Sequence, residues 1–178
     1  MDQINTTTAA EDTFAPRPFP NVAFGVVAPE QVAGMSGIEA LQAITAGAIP
    51  APPIARVMRQ WIERIAPGEV EFRGDPGPEY LNPMGIVHGG WTMTLLDSVL
   101  GCAVQSLLDA SETYVSLGTE VKFNRPLLHT SGQVQAIGNV ITRGKRTATA
   151  QARVLDARGR VIATGTTTCF IDRLGGKL

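Results

Sequence analysis

The stretch NPMGIVHGGWTMTLLDSVLGCAVQSLL, residues 82–108, decides the fold. Behind Gly89 and Gly90, the residues Trp91, Met93, Leu95, Leu96, Val99, Leu100, Cys102, Ala103, Val104, Leu107 and Leu108 fall on nearly every side of a helix. A helix that is apolar all round is buried all round, so this segment is expected at the centre of the domain. Its only relief is the strip Thr94, Asp97, Ser98, Gly101 and Gln105, spaced by three or four and therefore on one face. A lone carboxylate there costs several kcal/mol of desolvation unless it is paired or shifts its pKa, so Asp97 asks for a reason beyond packing.

The segments around the helix supply what encloses it. On its C-terminal side, YVSLGTEVKFNRP (114–126) alternates Val115, Leu117, Thr119, Val121 and Phe123 with polar or small residues, which reads as a half-buried strand stopped by Pro126. GQVQAIGNVITR (132–143) follows, then a turn at Gly144-Lys145, then RTATAQARVLD (146–156) with Ala148, Ala150, Ala152 and Val154 on one face. The turn Ala157-Arg158-Gly159 leads to RVIATGTTTCFID (160–172). Tight turns between successive strands predict an antiparallel meander, because parallel pairing needs a crossover of about a dozen residues. On the N-terminal side, EVEFRGDPGPEY (69–80) reads as a strand broken at Asp75-Pro76-Gly77. IPAPPIARVMRQWI (49–62) reads as a helical turn behind Pro52 and Pro53. SGIEALQAITAG (36–47) reads as a short helix with Ser36 as N-cap, Ile38, Leu41 and Ile44 on one face, and Gly47 as its stop. One long helix held in a curved antiparallel sheet, an α+β domain, accommodates all of this. Residues 1–20 are polar and rich in Thr, Ala and Pro and predict a disordered leader; residues 21–54 form an N-terminal helical extension, and 55–174 the main domain.

The chain has 178 residues, enough for one domain with a sizeable core. A net charge of -1 gives no electrostatic footprint for nucleic acid or an anionic membrane. Cys102 and Cys169 sit in apolar segments without metal or redox spacing and read as buried free thiols. With no signal segment and no apolar run of about 18 residues, a cytoplasmic protein is expected.

Chemistry concentrates at the helix start. Gly89 and Gly90 leave backbone N–H groups and the positive end of the helix dipole open to an approaching carbonyl. One aimed donor to a developing oxyanion contributes about 2.7 to 4 kcal/mol. The same glycines also suit a tight turn with close packing, and His88 also suits a structural hydrogen bond. Asp97 has its own bland alternative, a bond to Ser98 or to the backbone. At ~100° and ~1.5 Å per residue, the nine positions from His88 to Asp97 put the two on roughly opposite faces, about 13 Å apart along the axis. If both serve one site, a second copy of the chain must bring its Asp97 to Gly89 across a two-fold interface.

Asn82 six residues before His88, the run His88-Gly89-Gly90, the acid at Asp97, the strand end Phe123-Asn124-Arg125-Pro126 and the closing GTTTCF (165–170) together resemble the hotdog-fold acyl-CoA thioesterases of the phenylacetate-pathway (PaaI) type. The resemblance covers about residues 55–172. It implies a hotdog fold of five or six antiparallel strands around the helix, dimers pairing into a homotetramer, and thioester hydrolysis at the dimer interface. It further implies that Gly89 supplies the oxyanion N–H, that Asn82 and His88 shape that hole, that Asp97 is nucleophile or activates water, and that Ser116 helps hold the water. An acyl-CoA partner carries phosphates, for which Arg125, Arg143, Lys145 and Arg146 are candidates, with Gly90 also on the substrate side. No metal or cofactor is called for, because a thioester is already activated. A serine hydrolase is disfavoured by the lack of a Gly-x-Ser-x-Gly elbow. The remaining alternatives are a non-catalytic acyl-CoA sensor or carrier on the same fold, and an enoyl-thioester hydratase.

Overall fold

Helix α3, Gly89–Gln105, is the axis of the molecule. The structure is a computed structural model and describes residues 15–173. Leu95, Leu96, Val99, Leu100 and Val104 of α3 are fully buried. The helix ends at Ser106, whose hydroxyl donates to the Ala103 carbonyl and accepts the Gly68 N–H, tying the helix end to a strand turn.

Around α3 curve β1 (Gln60–Ala66), β2 (Glu69–Gly74), β3 (Glu112–Phe123), β4 (Val134–Arg143), β5 (Thr147–Leu155) and β6 (Val161–Arg173). They lie in the order β1-β2-β4-β5-β6-β3 with every neighbouring pair antiparallel. The inner face is built from small residues: Ala136, Ala148, Ala150, Ala152 and Ala163 are buried, together with Val154. That is the face expected for β5, and it lets the helix backbone come close. Gly138 is the limiting case, since a Cβ there would stand 2.7 Å from the Val99 carbonyl oxygen.

Two parts of the topology differ from the expected meander. β3 pairs with β6 rather than with β4, and β4 pairs instead with β2, laid down before the helix. The helical turn expected over 49–62 stops early: α2 is Pro53–Met58, and Arg59 turns the chain at φ 49° into β1. Asp75 accepts from both Nε and Nη2 of Arg59 and holds that corner. Apolar periodicity over so short a run cannot separate helix from strand.

The phase of β3 also differs. Between Ser116 and Gly118 its register with β6 slips by a bulge, which reverses the sides that follow. Tyr114 faces α3 before the bulge, and Thr119 and Val121 face it after. Val115 and Leu117, expected on the buried face, are exposed, Leu117 by 64%. Likewise α3 is not buried on every side: Met93 is 46% exposed, and Asp97 is exposed beside it.

The N-terminal segment closes part of this opening. Ser36 caps α1 (Gly37–Thr45) as expected, in a capping box with Glu39. The Gly37 N–H donates to the Leu108 carbonyl, and a Cβ on Gly37 would stand 1.8 Å from the Gln105 oxygen, so only glycine docks α1 on the end of α3. Leu41 joins the core. Of the leader expected over 1–20, residues 1–14 lie outside the described residues. The remainder is fixed rather than frayed: the Arg17 backbone exchanges two hydrogen bonds with the Gln133 side chain, and Phe19 packs edge-on against Trp61 at 5.4 Å. Tertiary partners at Gln133 and Trp61 thus order a stretch whose composition predicts disorder.

Candidate active site

The start of α3 is organised by His88, its N-cap. Its Nδ1 accepts the Gly90 N–H at 2.9 Å, its carbonyl accepts the Trp91 N–H, and its own N–H donates to the Tyr80 carbonyl. These bonds engage the neighbours of Gly89 and leave the Gly89 N–H without an acceptor among the described residues. It lines a cleft of about 310 Å³ with Asn82, Thr92, Phe123, Arg125 and Ile162 among its walls. Asn82 shapes that cleft through its loop: Oδ1 accepts the N–H groups of Met84 and Ile86, closing a turn next to the helix start. A helix N-terminus with one N–H open into a cleft suits a carbonyl oxygen that gains charge during reaction.

Asp97 lies eight residues further along α3 and belongs to a different cavity. Oδ1 accepts from the Thr119 hydroxyl at 3.3 Å. Thr119 also stands 3.2 Å from the Thr167 hydroxyl, which donates to the Gly118 carbonyl. The cavity, about 300 Å³, is lined by Asp97, Ser98, Cys102 and Tyr114 on one side and by Trp61, Phe72 and the N-terminal segment on the other. Burial pushes the Cys102 thiol up to about 12, and the Asp97 charge adds to the effect. Burial likewise raises the Tyr114 phenol, with smaller contributions from Cys102, Cys169 and Asp97. Both therefore remain protonated at neutral pH, and among the described residues Asp97 is the one charged group lining the cavity.

The structure brings Asn82, Gly89 and Arg125 to one cleft, with His88 setting the helix start beside it, and leaves Asp97 in the other. Ser116 Oγ stands 4.0 Å from the buried Cys169 Sγ. The hydroxyl bonded to Asp97 is that of Thr119, which the sequence reading does not single out because the bulge shifts the alternation of the strand. The Gly90 N–H is held by His88. Arg125 donates to the Val161 carbonyl at the Phe123 end of β3. Arg143, Lys145 and Arg146 gather at the opposite end, where Arg143 pairs with Glu112 and Arg146 lies over the Phe170 ring.

Residues 84–163 match the family model described as the thioesterase superfamily. Over that stretch the chain is similar to the thioesterase superfamily. Its hotdog architecture recurs in a mutant form of the phenylacetic acid degradation protein PaaI from Thermus thermophilus, at 28% identity and a TM-score of 0.61, covering 66% of this chain and 97% of that one. AziG from S. sahachiroi shares 25% identity with a TM-score of 0.66, over 68% of this chain and 98% of that one. A phenylacetic acid degradation-related protein from Ralstonia eutropha shares the fold at 24% identity and a TM-score of 0.68, over 73% and 98%. No curated protein matches. Within the superfamily match lie Gly89, Asp97 and Thr119; Phe19, Leu41, Trp61 and Phe72 of the Asp97 cavity precede it. Among the described residues no helix is long and apolar enough to cross a membrane.

Proposed function

We propose that the protein hydrolyses an acyl-CoA thioester to the free acid and CoA, at a site shared by two copies of the chain. The observation that carries this reading is the separation of Gly89 and Asp97 into different cavities beside a free sheet edge. β3 has one strand partner among the described residues, β6, so its other edge is open over twelve residues and carries exposed Val115, Leu117 and Phe123. A long apolar edge of this kind favours pairing with another chain. A two-fold axis through the middle of β3 sets its Phe123 end beside the partner's Glu112 end. Gly89 of one chain then approaches the face of α3 that carries Asp97 of the partner subunit.

In that site the Gly89 N–H receives the thioester oxygen as it becomes an oxyanion. The partner's Asp97 either takes a proton from an attacking water or attacks the carbonyl carbon itself, forming an anhydride that water opens. In both routes the C–S bond breaks, CoA leaves as thiolate and takes up a proton, and no further reactant is consumed. Thr119 orients the carboxylate. The same two-fold pairing sets Arg125 near Arg143, Lys145 and Arg146 of the partner subunit, which gathers the cations for the CoA phosphates.

The test is complementation. A chain carrying Asp97→Asn and a chain carrying Gly89→Ala, each impaired alone, are unfolded together and refolded. The added Cβ of Gly89→Ala narrows access to the donor N–H, and where it meets Phe123 Cζ at 3.1 Å the half-exposed ring has room to give, so the helix start is kept. Random pairing makes half of the dimers mixed, each with one site free of defects, so about a quarter of all sites recover. A mixture shown by mass to have exchanged chains and still inactive overturns the shared site. Binding of a broad acyl-CoA panel with no thiol release favours the sensor.

A further inference from the structure

We infer that the segment from Phe19 to Ala55 is the wall that sets the largest acyl group the enzyme accepts, with Phe19 and Ile44 as size-determining residues. This assignment rests on the thioesterase reading, because it takes Asp97 as the group that meets the thioester carbon. Acyl carbons beyond that carbon then enter the cavity whose rim Asp97 forms. Its floor and far side come from Phe19, Phe24, Leu41, Ile44 and Ala51, all of which precede the superfamily match. The segment has no part in the proposed reaction, yet it is held tightly for a surface strap.

Contacts at Phe19 and Gly37, and at Arg17 just before it, tie it to the rest of the domain, and a backbone pairing within it stiffens it. Arg17 is bonded to Gln133 through backbone N–H and carbonyl. Phe19 packs against Trp61 and stacks on Phe24 at 5.8 Å, with the Arg59 guanidinium over its ring at 4.9 Å. The backbone of Ala51 exchanges hydrogen bonds with Ala23 and Gly25. Gly37 docks α1 on the end of α3. A wall tied down at Phe19 and Gly37 and stiffened between its ends by the Ala51 pairing resists swinging aside for a longer ligand, so the cavity imposes a ceiling. Its volume, about 300 Å³, is roughly ten times the ~30 Å³ share of a liquid water, which is room for an acyl group of about ten heavy atoms. Its lining is apolar apart from a few neutral polar groups, and its single charge, Asp97, is negative. Acyl groups ending in a carboxylate are therefore excluded as well.

The experiment measures kcat/KM for straight-chain acyl-CoAs from acetyl to palmitoyl with the full chain and with Ile44→Trp and Phe19→Ala. In parallel it measures affinity for the same series as non-hydrolysable thioethers. The natural chain is expected to fall off beyond about decanoyl. Ile44→Trp fills the cavity and should lower the decanoyl-to-acetyl ratio by about tenfold, while Phe19→Ala opens it and should raise the palmitoyl-to-decanoyl ratio by about as much. Should Phe19→Ala fail to fold, Ile44→Ala provides the enlarging variant. A ceiling that neither variant moves, in an active enzyme, overturns the wall and leaves the thioesterase reading standing. Thioethers that bind with a ceiling shifted by the variants, but no thiol release from any thioester, overturn the hydrolysis and leave the wall. No binding to any member of the series overturns both.

Discussion

The Gly89 cleft and the Asp97 cavity open along one helix, eight residues apart, but they are assembled from different kinds of chain. The cleft is drawn from the stretch 82–127 with Ile162, and its key contacts are local: His88 to Gly90, Asn82 to Met84 and Ile86. The cavity joins α3 and β3 to residues far upstream, and its contacts are tertiary: Phe19 with Trp61, Gly37 with Leu108. Local hydrogen bonds can hold a backbone N–H aimed at a reacting atom. Tertiary packing sets a volume, and a volume can change with a few apolar substitutions while the reacting groups stay in place. On this reading the chemistry and the choice of acyl group sit in separable parts of one domain.

The sharpest break of that comparison is Asp97→Asn. The side chain is exposed and bonded to Thr119, so the amide keeps the shape and removes the base or nucleophile. kcat should fall by about 10² to 10⁴ with the thermal midpoint nearly unchanged, as measured by thiol release and calorimetry. A variant that keeps its rate makes Asp97 a rim residue of the cavity and nothing more.

The same division decides what can be read from the sequence. The helix, the hydrogen-bonding His88 at its start, the alanine face of β5, the turns at Gly144 and Gly159 and the Ser36 cap all follow from local pattern, and all are present. The open N–H at Gly89 belongs to the same local class, whereas Asn82 enters the sequence reading only through the family resemblance, and its turn-closing bonds are seen in the fold. Three features are hidden because each depends on something distant. The bulge at Leu117 adds one residue to a strand, and alternation alone cannot register it, so the sequence reading passes over Thr119 as the hydroxyl partner of Asp97. The strand identity of β1 is set by pairing with β2, not by its own residues. Phe19 reads as part of a polar leader because its partner Trp61 lies more than forty positions away.

A smaller effect tests whether Thr119 belongs to the reacting groups or to the sheet. Its single hydroxyl proton has two acceptors within reach, Asp97 Oδ1 and the Thr167 hydroxyl, and Thr167 gives its own proton to Gly118. If Asp97 receives it, Thr119→Val keeps the β-branched shape and removes the orienting bond. kcat should fall by about threefold to tenfold with KM little changed, corresponding to about 0.7 to 1.4 kcal/mol, and Thr119→Ser should restore it. A variant with lowered stability and an unaltered kcat assigns the proton to Thr167 and makes the pair a structural stitch between β3 and β6.

The smallest effect on either cavity should come from Asp156, at the turn between β5 and β6, and it is the control for the two readings above. Its carboxyl is almost fully buried. Burial, the largest single influence, raises its pKa, but the Arg160 side chain and the N–H groups of Arg160 and Arg158 together outweigh that and hold it below its usual value. A folded-state pKa below the unfolded one means a contribution that is present above the unfolded value and lost as pH falls through the folded one. The stabilisation is thus full at neutral pH and declines below about pH 4. Arg160 is half exposed, which discounts the ion pair, so Asp156→Asn should cost about 1 to 2 kcal/mol at pH 7, a drop of about 2 to 4 °C per kcal/mol in midpoint. The deficit should shrink toward zero as both proteins are melted at lower pH, while kcat and the acyl-size profile at about 25 °C stay where they were. A shift in the size profile would mean that the β5–β6 turn is coupled to the acyl cavity, and that chemistry and acyl choice are not separable in this domain.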